Sequence, residues 1–228
     1  MGSIIVINLV LSGDNAVVIA LASRSLPAKQ QKLAIFWGSA GAIILRAALT
    51  IGVVLLLKIP FLKAAGGALL IYIAVKLLKE DECASEVCKS AGSLWEAVKT
   101  IIFADILMST DNVLAIAGAS KGNLPLLILG LALSIPVIIC GSRILLFFMT
   151  KFPLIIYVGA GVLGWTAGEM IVTDASFASL FAGETVEILD EALPALLTAF
   201  VIISGALINR LQKKRTAPPP QEVGRKSR

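Results

Sequence analysis

Two stretches of this chain match each other in register: NLVLSGDN at residues 8–15 and DILMSTDN at residues 105–112. The offset of 97 residues pairs Asn8 with Asp105, Ser12 with Ser109, Asp14 with Asp111 and Asn15 with Asn112. Asp and Asn are costly inside a membrane, so their recurrence at matching positions of two apolar segments is hard to explain by composition alone. The pattern indicates an internal duplication.

The duplication extends over three predicted helices in each half of the chain. A second match, at an offset of 93, pairs Pro60 with Pro153, Gly66 with Gly159, Leu70 with Leu163, Tyr72 with Trp165, Ala74 with Ala167 and Asp81 with Asp174. We therefore assign residues 1–81 to repeat one and residues 94–174 to repeat two. Because an odd number of crossings reverses the direction of the second copy, the sequence predicts an inverted 3+3 repeat, as in many secondary transporters.

Apolar residues dominate the composition, with 57% hydrophobic and 15% charged residues, more than a soluble domain needs for its core. A helix crosses a bilayer with about 20 mostly apolar residues. Windows of this kind lie at 1–22, 33–57, 61–79, 94–120, 124–149, 152–173 and 190–209. The sequence predicts an all-α polytopic bundle of seven transmembrane helices over residues 1–209, with the last helix outside the repeat. A basic, disordered tail is predicted at 210–228.

The Lys and Arg residues of the predicted loops and tail indicate the orientation, because cytoplasmic segments carry an excess of these cations. Thirteen of them fall on the side of the C-terminal tail, and only Lys58, Lys63 and Lys121 fall on the other side. We expect a multi-pass protein of the cell membrane with its N-terminus outside and its C-terminus in the cytoplasm. The acidic segment 174–191 then lies outside, either as a solvated loop or as a surface that gathers cations.

The aspartates of the matching stretches are predicted to lie well inside the apolar layer. At 1.5 Å per residue, Asp14 lies about 20 Å along the first helix, and Asp111 lies about 25 Å along the fourth. An Asp side chain is too short to reach the interface, so each carboxylate needs a counter-charge, a water-lined cavity or a bound cation. Gly13 and the pair Ser109 and Thr110 would also allow local unwinding, which exposes backbone carbonyls.

The polar side chains of the two stretches form a candidate site made of oxygen ligands. The candidates are Asn8, Ser12, Asp14 and Asn15 on the first helix, and Asp105, Ser109, Asp111 and Asn112 on the fourth. Carboxylate, amide and hydroxyl oxygens suit hard divalent cations such as Mn²⁺, Mg²⁺ or Ca²⁺. The chain has no His, and its three Cys do not follow a zinc-ligand spacing. The alternative is a polar network that only fastens two helices together.

Two further charged residues are secondary candidates. Arg46 lies within the second helix, where it either pairs with one of the aspartates and keeps the site neutral or anchors a helix end. Glu169, in the sixth helix, is either a gate carboxylate or an interfacial charge. We expect no cofactor. We also expect no nucleic-acid partner, because the basic residues are concentrated in the tail, where an anionic lipid surface is their neighbour. The expected partners are the lipid bilayer and a divalent metal ion that is transported as substrate.

Several motifs occur together in one order along the chain. They are NLVLSGDNA at 8–16, Trp37-Gly38, Arg46, YIAVKLL at 72–78, DILMSTDNV at 105–113 and GVLGWTAGE at 161–169. The chain resembles the TerC family of integral membrane proteins on these residues, and the likeness runs through residue 210. The resemblance implies a place in the LysE-type transporter superfamily, a link to tellurium resistance through the family's name, and manganese export.

We therefore expect a metal-ion transporter, specifically an Mn²⁺ exporter that works by alternating access at a midplane acidic site, and not an enzyme. The alternatives are a transporter or resistance protein for another solute, such as a tellurium oxyanion, another divalent cation or an amino acid, and a membrane scaffold that transports nothing. Acidic ligands have the wrong sign for an oxyanion. A flux measurement separates a transporter from a scaffold.

Overall fold

The computed structural model describes residues 13–56, 59–79, 93–120, 124–181 and 184–216, with side chains described there except at 50–56, 110–120, 124–135, 184–187 and 212–216. Within these ranges the chain forms eight helices and no strand. They are α1 (Gly13–Ser23), α2 (Ala28–Leu56), α3 (Leu62–Lys79), α4 (Leu94–Ser120), α5 (Leu124–Lys151), α6 (Leu154–Val172), α7 (Ala175–Ala178) and α8 (Glu184–Thr216). The predicted all-α fold is confirmed.

Each predicted span overlaps one helix, although only the 11 residues of α1 are described for the first span, and the short α7 is an addition to the predicted set. Among the described residues, three segments are long and apolar enough to cross a membrane: Ala28–Leu49, Leu154–Val172 and Ile188–Leu211. The count of seven crossings stays a prediction. Helix α8 is longer than predicted at both ends, because acidic residues near its start and basic residues near its end favour extension along the helix dipole.

Helices α2 and α4 pack against each other in parallel. Gly38 of α2 lies against Ile101 of α4, so that a Cβ atom on Gly38 would come within 2.8 Å of the Ile101 side chain. Arg46, two turns further along α2, reaches Asp105, one turn further along α4. The close approach near Gly38 therefore sets the register that brings two buried charged side chains together.

Helices α3 and α6 pack against each other in opposite directions. Gly67, near the start of α3, approaches the carbonyl oxygen of Ala167, which lies towards the end of α6. A Cβ atom on Gly67 would lie only 2.5 Å from that oxygen, so the contact requires glycine. Ala160 and Ala167 are fully buried, and such small side chains let membrane helices approach closely.

Helix α8 docks mainly on α6 and runs antiparallel to it. Gly168 of α6 faces Pro194 of α8, and a Cβ atom on Gly168 would lie 2.3 Å from the Pro194 Cα. At the other end of the contact, Asn209 Nδ2 donates to the Tyr157 hydroxyl at 3.1 Å. The helix that stands outside the predicted repeat is thus fixed to the third helix of repeat two.

Large apolar side chains cover the outer surface of the bundle. Trp37, Tyr72, Trp95, Phe200 and Leu207 are all exposed, although a soluble protein would bury most side chains of this kind. A hydrocarbon surrounding removes the cost of this exposure. The distribution of apolar residues therefore suits a bundle that lies in a bilayer.

Polar contacts at the helix ends fix which ends lie on the same side. Arg24, after the end of α1, donates to the Leu77 carbonyl near the end of α3. Lys76 pairs with Glu96, at the start of α4, at 2.8 Å. The ends of α1 and α3 and the start of α4 therefore share one side of the bundle. Which side faces the cytoplasm stays a prediction.

Candidate cation site

A buried ion pair joins α2 to α4. The Arg46 guanidinium donates through Nη2 to Asp105 Oδ1, and its Nε donates to Ser109 Oγ at 3.2 Å. The Ser109 hydroxyl lies 3.0 Å from Asp105 Oδ2 and also donates to the Asp105 backbone carbonyl. Both carboxylate oxygens of Asp105 are thus engaged by polar groups from two helices.

The members of this cluster are removed from the protein surface. Arg46 is 1% exposed, Asp105 is 8% exposed and Ser109 is fully buried. Charged groups that are buried in this way persist only when they are paired, and removal of one partner typically costs about 3–5 kcal/mol. Arg46 therefore pairs with Asp105 and does not serve as an anchor at a helix end.

Helix α1 brings a second carboxylate to the same region. Asp14 lies in the first turn of α1 and is partly buried, with its charge close enough to interact with Arg46 and Asp105. The backbone N–H of Asn15 donates to Asp14 Oδ1 at 2.7 Å. Asn15 itself is 3% exposed, so α1 presents an amide and a carboxylate to the interior of the bundle.

The structure thus brings four of the eight predicted ligands into one region, together with Arg46. These four are Asp14, Asn15, Asp105 and Ser109. Asp111 and Asn112 lie on α4, but their side chains are outside the described set, and Asn8 and Ser12 precede the described residues. Helix α4 is continuous through Ser109 and Thr110, so the local unwinding considered for that motif is not found in this structure.

Among the side chains that the structure describes, no three His, Cys, Asp or Glu residues cluster closely enough to hold a metal ion. Asp14 and Asp105 are the two described carboxylates at the site, and Asp105 is held by Arg46. Two carboxylates and one guanidinium leave this region with a net negative charge. It therefore favours a cation over an anion.

Glu169 lies apart from this cluster. It is exposed on α6 and accepts a hydrogen bond from the Trp165 indole Nε1 at 2.8 Å. An exposed Trp and carboxylate one turn from a helix end are typical of a membrane interface. The geometry favours the interfacial reading of Glu169 over a gate next to the cation site.

Asp174 has a structural position that the sequence analysis missed. The sequence predicts an acidic outer segment that includes Asp174, but Asp174 is 4% exposed and accepts four backbone hydrogen bonds. Its Oδ1 accepts from the N–H groups of Ser176 and Phe177 at the start of α7, at 2.9 and 3.1 Å. Its Oδ2 accepts from Lys63 and Ala64 at the start of α3, at 3.0 and 3.1 Å.

One carboxylate therefore caps two helices that come from different halves of the chain. Burial alone would raise the pKa of Asp174, but the four backbone N–H donors outweigh burial and hold this pKa below its usual value. The signal available in the sequence was an Asp directly before a Ser-containing turn, which is a helix-cap pattern. The second cap, on α3, is a long-range contact that no local pattern indicates.

Comparison with known proteins agrees with this description. Residues 1–217 match the family described as integral membrane protein TerC family. The membrane protein YjbE of Bacillus subtilis (strain 168) is 48% identical over 212 residues, which cover 92% of this chain and 95% of YjbE. YceF of the same organism is 32% identical over 163 residues, which cover 67% of this chain and 63% of YceF. Both relatives are named as uncharacterized membrane proteins.

No solved structure matches this chain significantly. The family match spans almost the whole chain, and the relative YjbE aligns over nearly its full length. The motifs that carried the resemblance in the sequence lie within the matched region. This chain therefore belongs to the TerC family of integral membrane proteins.

Proposed function

We propose that this protein is a secondary transporter that exports a divalent metal ion, with Mn²⁺ as the leading substrate. The observation that supports this proposal most strongly is the buried Asp105 carboxylate inside an otherwise apolar bundle, with Asp14 of a second helix within electrostatic range of it. Ionisable residues at such positions in membrane proteins usually belong to an ion path. Asp111, one and a half turns beyond Asp105 on α4, would supply a third carboxylate.

The chemistry of the cluster argues for a hard cation. Its described ligand atoms are carboxylate, amide and hydroxyl oxygens, which suit Mn²⁺, Mg²⁺ and Ca²⁺. A tellurium oxyanion would meet net negative charge, and an amino acid would need a second site for its own carboxylate. Manganese is preferred among the three metals because of the family resemblance.

Alternating access is the mechanism that we propose for this site, with the two repeats inverted relative to each other. The antiparallel packing of α3 and α6, which are corresponding helices of the two repeats, supports this arrangement. Helices α1 and α2 of repeat one pack on α5 and α4 of repeat two, respectively. The moving bodies would therefore combine helices from both repeats and would not be the two halves of the chain.

A growth experiment in a manganese-sensitive strain tests the proposal. Wild-type protein should lower cellular manganese and restore growth at high external Mn²⁺, whereas Asp14→Asn and Asp111→Asn should not. Asp190→Asn is a matched control, because Asp190 is an exposed carboxylate on α8. All variants are compared at equal membrane abundance. Normal protection by both site variants would contradict the proposed site.

A static membrane scaffold is the second candidate. The Arg46–Asp105 pair favours this function, since such a pair can hold two helices together without any transport. Purified protein in liposomes separates the two functions. A transporter accelerates movement of radioactive Mn²⁺ across the liposome membrane, whereas a scaffold leaves the rate equal to that of protein-free liposomes.

A further inference from the structure

The Arg46 guanidinium and a transported cation compete for the same ligand. Arg46 holds Asp105 Oδ1, and the Ser109 hydroxyl lies against Asp105 Oδ2. A metal ion that binds Asp105 through Oδ1 has to displace the guanidinium from that oxygen. Because Arg46 and Asp105 lie on different helices, this exchange changes an ion pair that joins α2 to α4.

A carrier that works by alternating access has to change conformation both with and without its cargo. Without a counter-charge, the carboxylates of the metal-free site would carry their charge through a layer of low dielectric, which is strongly unfavourable. A cation that is built into the protein removes much of this cost. Arg46 is 1% exposed and covalently part of α2, so it stays near the site when no metal is bound.

We infer that Arg46 is a tethered substitute for the transported cation. It neutralises the acidic site when no metal is bound, lets the metal-free carrier change conformation, and yields Asp105 when the metal arrives. This inference rests on the proposed function. It adds a residue that sets metal affinity and the rate of the return step without itself being a metal ligand.

The position of Arg143 shows that the cation at the site is specific to one half of the chain. Arg143 is the residue of α5 that corresponds to Arg46 at the repeat offset of 97, yet it is exposed, whereas Arg46 is buried. Repeat one therefore supplies the cation and repeat two supplies Asp105, in place of Asn8. The charge pair breaks the symmetry of the site, and Arg143 provides a matched control.

Two transport modes in proteoliposomes test the inference. In exchange, Mn²⁺ is present on both sides, and the carrier changes conformation only while loaded. In net efflux, Mn²⁺ is present on one side only, and the carrier must return without metal. We expect Arg46→Gln to reduce the rate of net efflux about tenfold relative to the rate of exchange. The variant should also bind Mn²⁺ about tenfold more tightly. The loss of one charge-assisted contact corresponds to a factor of this size. Arg143→Gln should leave both properties unchanged.

Arg46→Lys tests the same point in a variant that retains the charge. A shorter ammonium makes fewer contacts with the carboxylate than a guanidinium does, so Mn²⁺ binding should tighten by less than in Arg46→Gln while net efflux is largely kept. This variant also decides the matter if Arg46→Gln is not recovered as a folded protein. Weaker Mn²⁺ binding in Arg46→Lys than in the wild type would then overturn the inference.

The outcomes separate the inference from the proposed function. If wild-type protein moves Mn²⁺ in neither mode, the proposed transport function is wrong. If wild-type protein moves Mn²⁺ in both modes but Arg46→Gln lowers exchange and net efflux by the same factor, Arg46 serves only to position the helices. Selective loss of net efflux, with tighter metal binding and rescue by Arg46→Lys, is the result that the inference predicts.

Discussion

Asp174 offers a sharp test of the fold, because one side chain joins two helix N-termini from different halves of the chain. Its carboxylate accepts from Lys63 and Ala64 on α3 and from Ser176 and Phe177 on α7. Asp174→Ala removes all four acceptor contacts and leaves two helix starts without their cap. Asp174→Asn keeps a single acceptor oxygen, so it preserves the contacts of one helix at most.

The expected loss of stability follows from the number of helix N-termini that the Asp174 carboxylate caps. Loss of a helix N-cap typically costs about 0.5–2 kcal/mol, and contacts to a charged acceptor are the stronger ones. Two caps on a buried carboxylate give an expected loss of about 2–3 kcal/mol for Asp174→Ala and about half of that for Asp174→Asn. For a chain of this size the Ala variant should unfold about 4–12 °C below the wild type.

The effect should also depend on pH. The folded-state pKa of Asp174 lies below its usual value of 3.8, so the folded protein binds the proton less readily than the unfolded chain does. The stabilisation is fully present above pH 3.8 and is lost as the pH falls through the folded-state pKa. The difference in unfolding temperature between wild type and Asp174→Asn should therefore be constant near neutral pH and should shrink in acid.

Thermal unfolding of purified protein in a mild detergent, followed by tryptophan fluorescence, measures these differences. Asp190→Asn and Asp190→Ala are the controls, since they remove an exposed carboxylate. They should unfold within about 0.5 kcal/mol of wild type, as surface substitutions usually do. If Asp174→Ala were as stable as Asp190→Ala, the double cap would be refuted.

Further predictions concern helix packing and a surface ion pair. Gly168→Ala should destabilise the protein by about 1–2 kcal/mol in thermal unfolding, because its Cβ atom would meet the backbone of Pro194 at 2.3 Å. Gly141→Ala should instead be neutral or stabilising by about 0.5–1 kcal/mol, because its nearest contact is at an ordinary 3.5 Å and alanine favours the helix. Glu96→Gln should change the free energy of unfolding by less than about 1 kcal/mol, because its pair with Lys76 is exposed. A larger loss would show that this exposed pair stabilises the fold.

Much of the fold could be predicted from the sequence because a membrane limits the choice of structure. Apolar windows of sufficient length have to form helices in hydrocarbon, so α3, α4 and α6 were predicted to within about two residues of their observed ends. The ends of α8 were predicted less well. Charged residues continue that helix beyond the apolar window at both ends, and hydropathy alone stops at the last apolar turn.

The candidate site could be predicted only in part. The repeat identified Asp14, Asn15, Asp105 and Ser109, because costly polar residues recurred in register within apolar segments. The pairing of Arg46 with Asp105 could not be derived from the repeat, since it joins α2 to α4, and Arg143, which corresponds to Arg46, is exposed. Such contacts depend on which helix faces lie together, and sequence periodicity does not fix this.

The acidic segment 174–191 also contains a long-range contact that the sequence pattern did not predict. A run of acidic residues without basic neighbours is typical of a solvated loop, so the pattern predicts an exposed Asp174. The carboxylate is buried because α3 of the other half begins beside it and supplies two backbone donors. A long-range contact thus turned an apparent loop residue into a connection between the two halves.

A calorimetric titration of the purified protein measures whether the carboxylates of the candidate site bind a divalent metal ion. Mn²⁺, Mg²⁺ and Ca²⁺ are titrated in turn into wild type, Asp111→Asn and the control Asp190→Asn. We predict saturable binding to the wild type and the control, with Mn²⁺ bound most tightly, and at least about tenfold weaker binding to Asp111→Asn, because the loss of one charged ligand corresponds to this factor or more. Equal Mn²⁺ affinity in wild type and Asp111→Asn, or no saturable binding to the wild type, would show that these carboxylates do not form the proposed divalent-metal site.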